Sequence, residues 1–137
     1  MKKDKNIIIE DFGNEWEKFD QINLINEELD EIFNDYFDIF PWEKIGKKSI
    51  GIDFGCGTGR WAKIVAPKCK SLTLLDASTK SINVSKKMLN KFENVNFLVS
   101  DVTNTNISNK KYDFAYSLGV LHHVPNIDMA LKEVNRI

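Results

Sequence analysis

Four polar side chains of this sequence lie where short apolar runs end, in positions suited to contact a ligand. Asp53, Asp76 and Asp101 close the first three of these runs, and Ser117 lies near the end of the fourth. One carboxylate can accept hydrogen bonds from two vicinal hydroxyl groups, and this geometry suits a ribose. Asp76, after the second run, is the residue that we expect to do so. The pattern therefore predicts a ligand derived from a nucleoside.

A glycine-rich turn follows the first apolar run. Residues 55–59 alternate glycine with Cys56 and Thr58, which gives the pattern Gly-x-Gly-x-Gly. Alternating glycines let the backbone turn sharply and keep Cβ atoms away from a bound ligand. A dinucleotide site requires a third glycine where Arg60 stands, and no Gly-Lys-Ser/Thr follows as it does in a phosphate-binding loop. The turn therefore disfavours a pyrophosphate ligand, and with it a nicotinamide oxidoreductase.

The elements that position these groups are predicted from alternating strand and helix patterns. Strand-like runs cover residues 49–54, 71–75, 94–99 and 112–118, with helical patterns between them. This alternation indicates βαβ units and a parallel sheet. Right-handed crossovers then place the carboxyl ends of all the strands at one edge of the sheet. We therefore expect the four polar groups to meet there, where an open α/β sheet holds its ligand.

Local signals bound the predicted helices. The first should begin near Gly59 and end before Pro67, since proline cannot continue a helix. The second should begin after an N-cap at Ser78 and run to about Phe92, and Asn126 should cap the last helix. The apolar residues of that last helix are predicted to face inward: Ile127, Ala130, Leu131 and Val134.

The N-terminal region carries two further patterns. The run at residues 7–9 consists of three isoleucines and predicts a strand or an extended arm. A helix should follow and end before Pro41. Its stripe of apolar residues either packs in the core or forms a lid over the ligand site. The stripe recurs at helical spacing and consists of Ile22, Ile25, Leu29, Ile32, Phe33 and Tyr36.

Composition narrows the class of protein. A chain of 137 residues with 42% hydrophobic and 28% charged residues is typical of one globular domain. The formal net charge of -1 gives no electrostatic argument for binding nucleic acid or an acidic membrane. Cys56 and Cys69 form neither a disulfide framework nor a zinc site, which suits a reducing cytoplasm. We also expect no signal peptide and no membrane span, so the predicted location is cytoplasmic.

Residues 53–59, Asp-Phe-Gly-Cys-Gly-Thr-Gly, resemble the first motif of the class I S-adenosylmethionine-dependent methyltransferases. Three further motifs follow in family order across residues 49–137: Leu-Leu-Asp-Ala-Ser at 74–78, Asp-Val at 101–102, and Ser-Leu-Gly-Val-Leu-His-His-Val at 117–124. The resemblance implies a Rossmann-like three-layer sandwich with a mainly parallel sheet, and S-adenosylmethionine as cofactor. The residues that it assigns to cofactor binding are Asp53, Gly55, Cys56, Gly57, Asp76, Ala77, Asp101, Val102 and Ser117.

In the family that this sequence resembles, the glycine turn packs against the methionine part of the cofactor. The acidic residue after the second strand, here Asp76, holds the ribose, and the pair at 101–102 flanks the adenine. Methyl transfer is an in-line attack that an enzyme assists mainly by orientation and desolvation. His122 and His123 are the candidates for a general base; alternatively, one of them lines the cofactor pocket and the other packs or faces solvent. Arg60 either pairs with the methionine carboxylate or faces water.

Absent motifs narrow the acceptor. The amino-group methylases of DNA carry Asn/Asp-Pro-Pro-Tyr/Phe after the fourth strand, where this chain has Ser-Leu-Gly-Val at 117–120. The Pro-Cys nucleophile of cytosine-C5 enzymes does not occur either. A DNA acceptor is therefore disfavoured. We expect a small-molecule, lipid or glycan acceptor, with protein or RNA as remaining options.

The same resemblance divides the chain and suggests that it is cut short. Phe12-Gly13-Asn14-Glu15-Trp16 is similar to an N-terminal motif of family members whose helical leader caps the active site. Residues 1–48 are thus predicted as an arm and helical lid, and 49–137 as the cofactor-binding domain. Family members continue with further strands, so the last strands are expected to be missing and the open sheet edge to favour homo-oligomers. The alternative function is a non-catalytic S-adenosylmethionine-binding module or an inactive fragment.

Overall fold

A four-stranded sheet lies at the centre of the computed structural model, which describes residues 5–18 and 26–137. Its strands are parallel and stand in the order β3-β2-β1-β4. Their bounds are β1 (Ile50–Phe54), β2 (Ser71–Asp76), β3 (Val95–Val99) and β4 (Phe114–Tyr116). The strand order reverses beside β1, since β2 pairs on one side of it and β4 on the other. The predicted parallel sheet is thus confirmed, although β4 is shorter than its apolar run.

Helices cover both faces of the sheet and complete the predicted three-layer arrangement. They are α1 (Lys5–Lys18), α2 (Asn26–Phe37), α3 (Ala62–Val65), α4 (Thr79–Met88) and α5 (Ile127–Arg136). One core forms where Leu72 and Leu74 of β2 meet residues of α2, α3 and α4. A second core, on the opposite face, joins Ile52, Phe54 and Leu75 to Ala130 of α5. None of the described helices has the length and hydrophobicity that crossing a bilayer would require.

Both predicted N-caps are confirmed, whereas some of the predicted helix ends are wrong. Ser78 Oγ accepts a hydrogen bond from the backbone N–H of Ser81 at 3.3 Å, and Asn126 Oδ1 accepts one from Met129 at 3.1 Å. The helix expected from Gly59 begins only at α3, and Gly59 itself has a φ angle of 79°, which is not helical. It passes into a short 3-10 turn, Ala66–Lys68, whose first residues tolerate a proline. The helix expected to reach Phe92 ends at Met88.

The prediction of a strand or extended arm at residues 7–9 is wrong, because these residues lie within α1. This helix packs against α4. At Gly13 the two helices lie so close that a Cβ atom would come within 2.5 Å of Ser78 Oγ. Packing against a neighbouring helix has therefore decided the conformation of an apolar run whose local pattern was ambiguous.

The apolar stripe before Pro41 belongs partly to the core. Leu29, Phe33 and Phe37 of α2 are buried, whereas Ile32 and Tyr36 are 40% and 59% exposed. The buried face of α2 is thus narrower than the predicted stripe and includes Phe37, which the prediction omitted. Two members of the predicted stripe lie outside the described residues: Ile22 and Ile25.

The prediction for the last helix is half right. Ala130 is fully buried and Val134 is partly buried, but Ile127 and Leu131 are 45% and 47% exposed. The buried side of α5 runs through Ala130 and Val134 to Ile137, residues that share one side of a helix. Ile127 and Leu131 lie beside this line, beyond the edge of the second core.

Candidate cofactor-binding site

The turn after β1 needs glycine at defined positions. Gly55, Gly57 and Gly59 have positive φ angles of 94°, 52° and 79°, a region that other residues rarely adopt. A Cβ atom on Gly55 would also lie 2.5 Å from a methyl carbon of Val120. The backbone N–H of Gly55 donates to the carbonyl of Leu75 at 2.8 Å, which ties the turn to β2. The alternation of glycines is therefore explained by backbone conformation and by close packing.

Asp76, at the end of β2, is held in place by backbone N–H groups. Its Oδ2 accepts from Gly57 N at 2.9 Å, and its Oδ1 accepts from Ser78 N at 2.8 Å. Burial raises the pKa of this carboxyl group, and the bonds from Ser78, Gly57 and Ala77 oppose that rise. The two carboxylate oxygens have four lone pairs between them, more than these backbone donors occupy, so the group can accept a further hydrogen bond from a ligand. The glycine turn and the predicted ribose-binding residue thus form one unit.

A pocket opens at the carboxyl ends of the strands and is bounded by this unit. The loop after β3 forms another part of its wall, and the segment after β4 closes it. This is the sheet edge at which the sequence placed the ligand. Seven predicted cofactor-binding residues line the pocket: Gly55, Cys56, Gly57, Asp76, Ala77, Asp101 and Val102.

The two other residues assigned to the cofactor lie outside this lining. Ser117 donates a hydrogen bond through its hydroxyl to the carbonyl of Phe54 at 2.6 Å, so it joins β4 to the end of β1. Asp53 is buried, with 2% of its surface exposed, in the strand below the turn. The structure therefore places both residues behind the pocket wall, where they support the turn.

Asp53 is an unusual buried acid. Its Oδ2 has no hydrogen-bond partner among the described residues, and neither has the hydroxyl group of Tyr116. Burial raises the pKa of Asp53 to about 7; the nearby Tyr116 hydroxyl offsets part of the rise, and the charge of Asp76 adds to it. Although Tyr116 influences Asp53, the two groups do not reach hydrogen-bonding geometry. Asp53 is thus a carboxyl group that is partly protonated near neutral pH.

The loop after β3 presents Asp101 and Val102 to the pocket. Asp101 Oδ1 accepts hydrogen bonds from the backbone N–H of Thr103 at 2.9 Å and from its hydroxyl at 2.8 Å. These bonds form a local turn that fixes the carboxylate. Val102 is buried and packs in the second core. The pair can therefore offer a flat ligand one polar and one apolar contact.

The two candidate general bases occupy different positions. His123 lines the pocket, and His122, which lies beside it, is outside the lining. Their ring centroids are 3.7 Å apart. Desolvation lowers the pKa of His123, although this residue is exposed, and the charge of His122 lowers it further. His123 is therefore the residue better suited to accept a proton from a ligand in the pocket.

Aromatic residues support the opposite part of the wall, which motif reasoning did not identify. Trp61 lines the pocket and is buried against Phe33 and Phe37 of α2. The guanidinium carbon of Arg60 lies 4.4 Å from the centroid of the Trp61 ring. Ile9 of α1 also lines the pocket, whereas the buried face of α2 belongs to the core. The position of Trp61, two residues after the last turn glycine, was the available signal.

Comparisons with known proteins agree with this geometry. A family model described as a methyltransferase domain matches residues 52–137. Demethylmenaquinone methyltransferase of Staphylococcus aureus is 28% identical in an alignment 138 residues long. The alignment covers 92% of this chain and 53% of that protein. The chain thus spans about half the length of the curated relatives it matches.

Solved structures share the fold at low identity. A candidate S-adenosyl-L-methionine-dependent methyltransferase from Methanococcus maripaludis superposes with a TM-score of 0.74 at 19% identity, covering 91% of this chain and 57% of that one. Phosphoethanolamine N-methyltransferase 1 of Haemonchus contortus was solved with phosphoethanolamine and S-adenosylhomocysteine. It superposes with a TM-score of 0.68 at 13% identity, covering 85% of this chain and 26% of that one. Since the family model covers more than half of the chain, the protein belongs to the methyltransferase-domain family, and it has the class I, Rossmann-like fold of S-adenosylmethionine-dependent methyltransferases.

Proposed function

We propose that this pocket binds S-adenosylmethionine and that the protein transfers its methyl group to a small-molecule, lipid or glycan acceptor. The observation that carries the proposal is the unit formed by Asp76 and the glycine turn. Asp76 accepts from the turn amide of Gly57 at 2.9 Å and lines the pocket with the capacity to accept a further hydrogen bond. An acid fixed in this way suits the two hydroxyls of a ribose.

The residues present fit the parts of this cofactor. The turn residues Gly55 and Gly57 line the pocket, where the methionine part can pack against them, and Asp76 lies next to the turn for the ribose. Asp101 and Val102 line the next part of the pocket, where an adenine would have one polar and one apolar neighbour. When bound, the cofactor supplies an electrophilic methyl group on a sulfonium. The pocket residues hold the reacting groups in line and exclude water.

His123 has the position and the protonation state of a general base. Its pKa is lowered, so the imidazole is neutral at neutral pH and can take a proton from a hydroxyl acceptor. Desolvation is the larger cause of this lowering and the charge of His122 the smaller one, so His122 need not touch the acceptor itself. The proposal therefore gives His123 the proton transfer and gives His122 a supporting role.

The walls of the pocket favour an apolar acceptor within the proposed class. Residues of α1, of the turn and of the segment after β4 contribute the apolar side chains Ile9, Trp61, Leu118, Val120 and Val124. The curated relative is named for a quinone acceptor, demethylmenaquinone. With a formal net charge of -1, the chain offers no excess of positive charge to attract a nucleic acid. We therefore rank an apolar ring or lipid acceptor above a glycan.

Calorimetry with S-adenosylhomocysteine and with NAD tests the proposal. We expect S-adenosylhomocysteine to bind and NAD to fail, because Arg60 occupies the third glycine position of a dinucleotide turn. Asp76→Ala removes at least one charge-assisted hydrogen bond of about 1.5–3 kcal/mol, so the affinity should fall by at least about 10-fold.

Asp113→Ala is the matched control for that substitution. Asp113 also accepts from a backbone N–H, that of Ile50 at 2.7 Å, but it stands at the amino end of the strands, away from the pocket. It should lose stability without losing affinity for S-adenosylhomocysteine. Binding of NAD in place of S-adenosylhomocysteine, or an unchanged affinity in Asp76→Ala, would contradict the proposed site.

A further inference from the structure

The loop after β3 is hydrogen-bonded to α5 a short distance along the chain from the pocket. Thr105 follows soon after Val102 in this loop and is buried, with 4% of its surface exposed. Its backbone N–H and its hydroxyl both donate to Glu133 Oε1, at 2.8 and 2.6 Å. One carboxylate oxygen of α5 thus holds both the backbone and the side chain of a loop residue.

Arg136 orients Glu133 and bonds a second residue of the same loop. Its Nε and Nη2 atoms donate to the two carboxylate oxygens of Glu133 at 2.9 and 2.7 Å, and its Nη1 atom donates to the carbonyl of Ile107 at 2.7 Å. The hydrogen bond from Arg136, with those from Thr105, lowers the pKa of Glu133 to about 2 against the opposing effect of burial. The carboxylate is therefore ionised at neutral pH. We call Glu133 and Arg136 the α5 clamp.

The backbone between the two bonded loop residues needs this support. Asn106 lies between Thr105 and Ile107 and has a φ angle of 55°, in the left-handed region that residues other than glycine adopt at a cost. Thr105 Oγ1 also accepts from the N–H of Ile107 at 3.3 Å, which closes the turn around Asn106. The α5 clamp therefore bonds both neighbours of the residue with the unfavourable φ angle.

The clamped segment leads directly into the wall of the pocket. The N–H of Asn104 donates to the carbonyl of Asp101 at 3.1 Å, so a tight turn connects the pocket to Thr105. Val102 packs in the second core, which also contains Ala130 of α5. Helix α5 thus fixes this part of the wall in two ways, by apolar packing and by the hydrogen bonds of the clamp.

We propose that Glu133 is a positioning residue for cofactor binding, which acts through Thr105 to fix the part of the pocket wall that follows β3. This inference rests on the proposed function, which gives Asp101 and Val102 to the adenine. A base between a polar and an apolar neighbour is sensitive to small shifts, because a gap of about 1 Å already loses much of a van der Waals contact. The glycine turn and Asp76 should keep their places without the clamp, since their own hydrogen bonds join the turn to the end of β2.

The test measures S-adenosylhomocysteine binding by calorimetry and by amide chemical shifts of the labelled chain. Glu133→Ala should lower the affinity at least about fivefold. At saturating ligand, the shift induced at the Val102 amide should be strongly reduced, whereas that at the Gly57 amide should be retained. A purely structural role would lower the folded fraction and leave the shifts of the folded, ligand-bound chain unchanged.

Two substitutions at Thr105 test the same link from the loop side. Thr105→Val removes the hydroxyl and keeps the size of the side chain, so it should weaken binding and reduce the Val102 shift in the same direction as Glu133→Ala, by a smaller amount. Thr105→Ser keeps the hydroxyl and should bind as the wild type does. If Glu133→Ala does not fold, this pair of variants decides the question by itself.

Asp128→Ala is the matched control, because Asp128 is an exposed acid on the same helix outside the pocket lining. It should leave the affinity and the shifts unchanged. Wild-type affinity in Glu133→Ala and Thr105→Val, or equal reductions of the shifts at Gly57 and Val102, would overturn the positioning role while the proposed function stands. A wild-type chain that does not bind S-adenosylhomocysteine would overturn both.

Discussion

Asp53→Asn tests the electrostatics beneath the glycine turn. The pKa of this acid rises from 3.8 to about 7 on folding, because the group is buried. At pH values below 3.8, Asp53 is protonated in both the folded and the unfolded protein, so the pKa shift has no effect on stability. Between the two values the unfolded state ionises while the folded state keeps its proton, so stability falls by about 1.4 kcal/mol for each pH unit. The full loss is on the order of 4 kcal/mol at pH values above the folded pKa.

Urea unfolding at several pH values measures this effect. The asparagine keeps the shape of the side chain and cannot ionise, so its variant should not share the loss. Relative to the wild type, Asp53→Asn should gain about 3 kcal/mol in free energy of unfolding between about pH 5 and about pH 8. Asp113→Asn makes the same chemical change in an exposed acid and serves as the control.

The result that refutes this reasoning is a constant difference between wild type and Asp53→Asn over the whole pH range. It would mean that Asp53 is as easily ionised in the folded protein as in the unfolded chain. Water or a closer Tyr116 hydroxyl would then have to solvate the carboxylate, and Asp53 would not be an acid with a pKa of about 7. A difference of opposite sign would show that the ionised form stabilises the turn.

Four further substitutions probe the fold and the chemistry. Gly55→Ala should destabilise the turn and weaken S-adenosylhomocysteine binding in calorimetry, because its Cβ would meet Val120 at 2.5 Å and φ is 94°. Phe33→Ala should cost about 3–5 kcal/mol in urea unfolding, as a buried aromatic does. Ser78→Ala should cost about 1 kcal/mol in the same assay, through loss of the α4 cap. His123→Gln should lower kcat and leave S-adenosylhomocysteine affinity unchanged, and the wild-type kcat should rise with pH through a pKa below 6.5.

The parts of the site that the sequence predicted are those fixed by strand ends. Asp76 and Asp101 each follow an apolar run, and parallel strands bring such positions together at one edge whatever the packing around them. The turn glycines were predictable for a similar reason, because a positive φ leaves few other choices. Asp53 and Ser117 were also predicted to contact the ligand because they lie near strand ends. In the structure, however, Asp53 is buried behind the turn and Ser117 is hydrogen-bonded to the Phe54 carbonyl.

The features that the sequence did not predict depend on tertiary packing. Residues 7–9 form a helix because α1 packs on α4 at Gly13, and a local pattern contains no information about that neighbour. The wall formed by Trp61 depends on the buried face of α2, which is distant in sequence. The exposure of Ile127 and Leu131 also reflects where the second core ends along α5, and apolar spacing alone does not show this.

The most direct test of the central claim is to map S-adenosylhomocysteine binding by amide chemical shifts on the isotopically labelled chain. We predict saturable shifts at the turn, at the end of β2 and after β3, with the largest changes at Gly57, Ala77 and Val102, and none with NAD. The amide of Gly57 is the most informative, since it donates to the Asp76 carboxylate that should receive the ribose. No saturable shift, or shifts confined to residues outside the pocket, would contradict the assignment of this pocket to the cofactor.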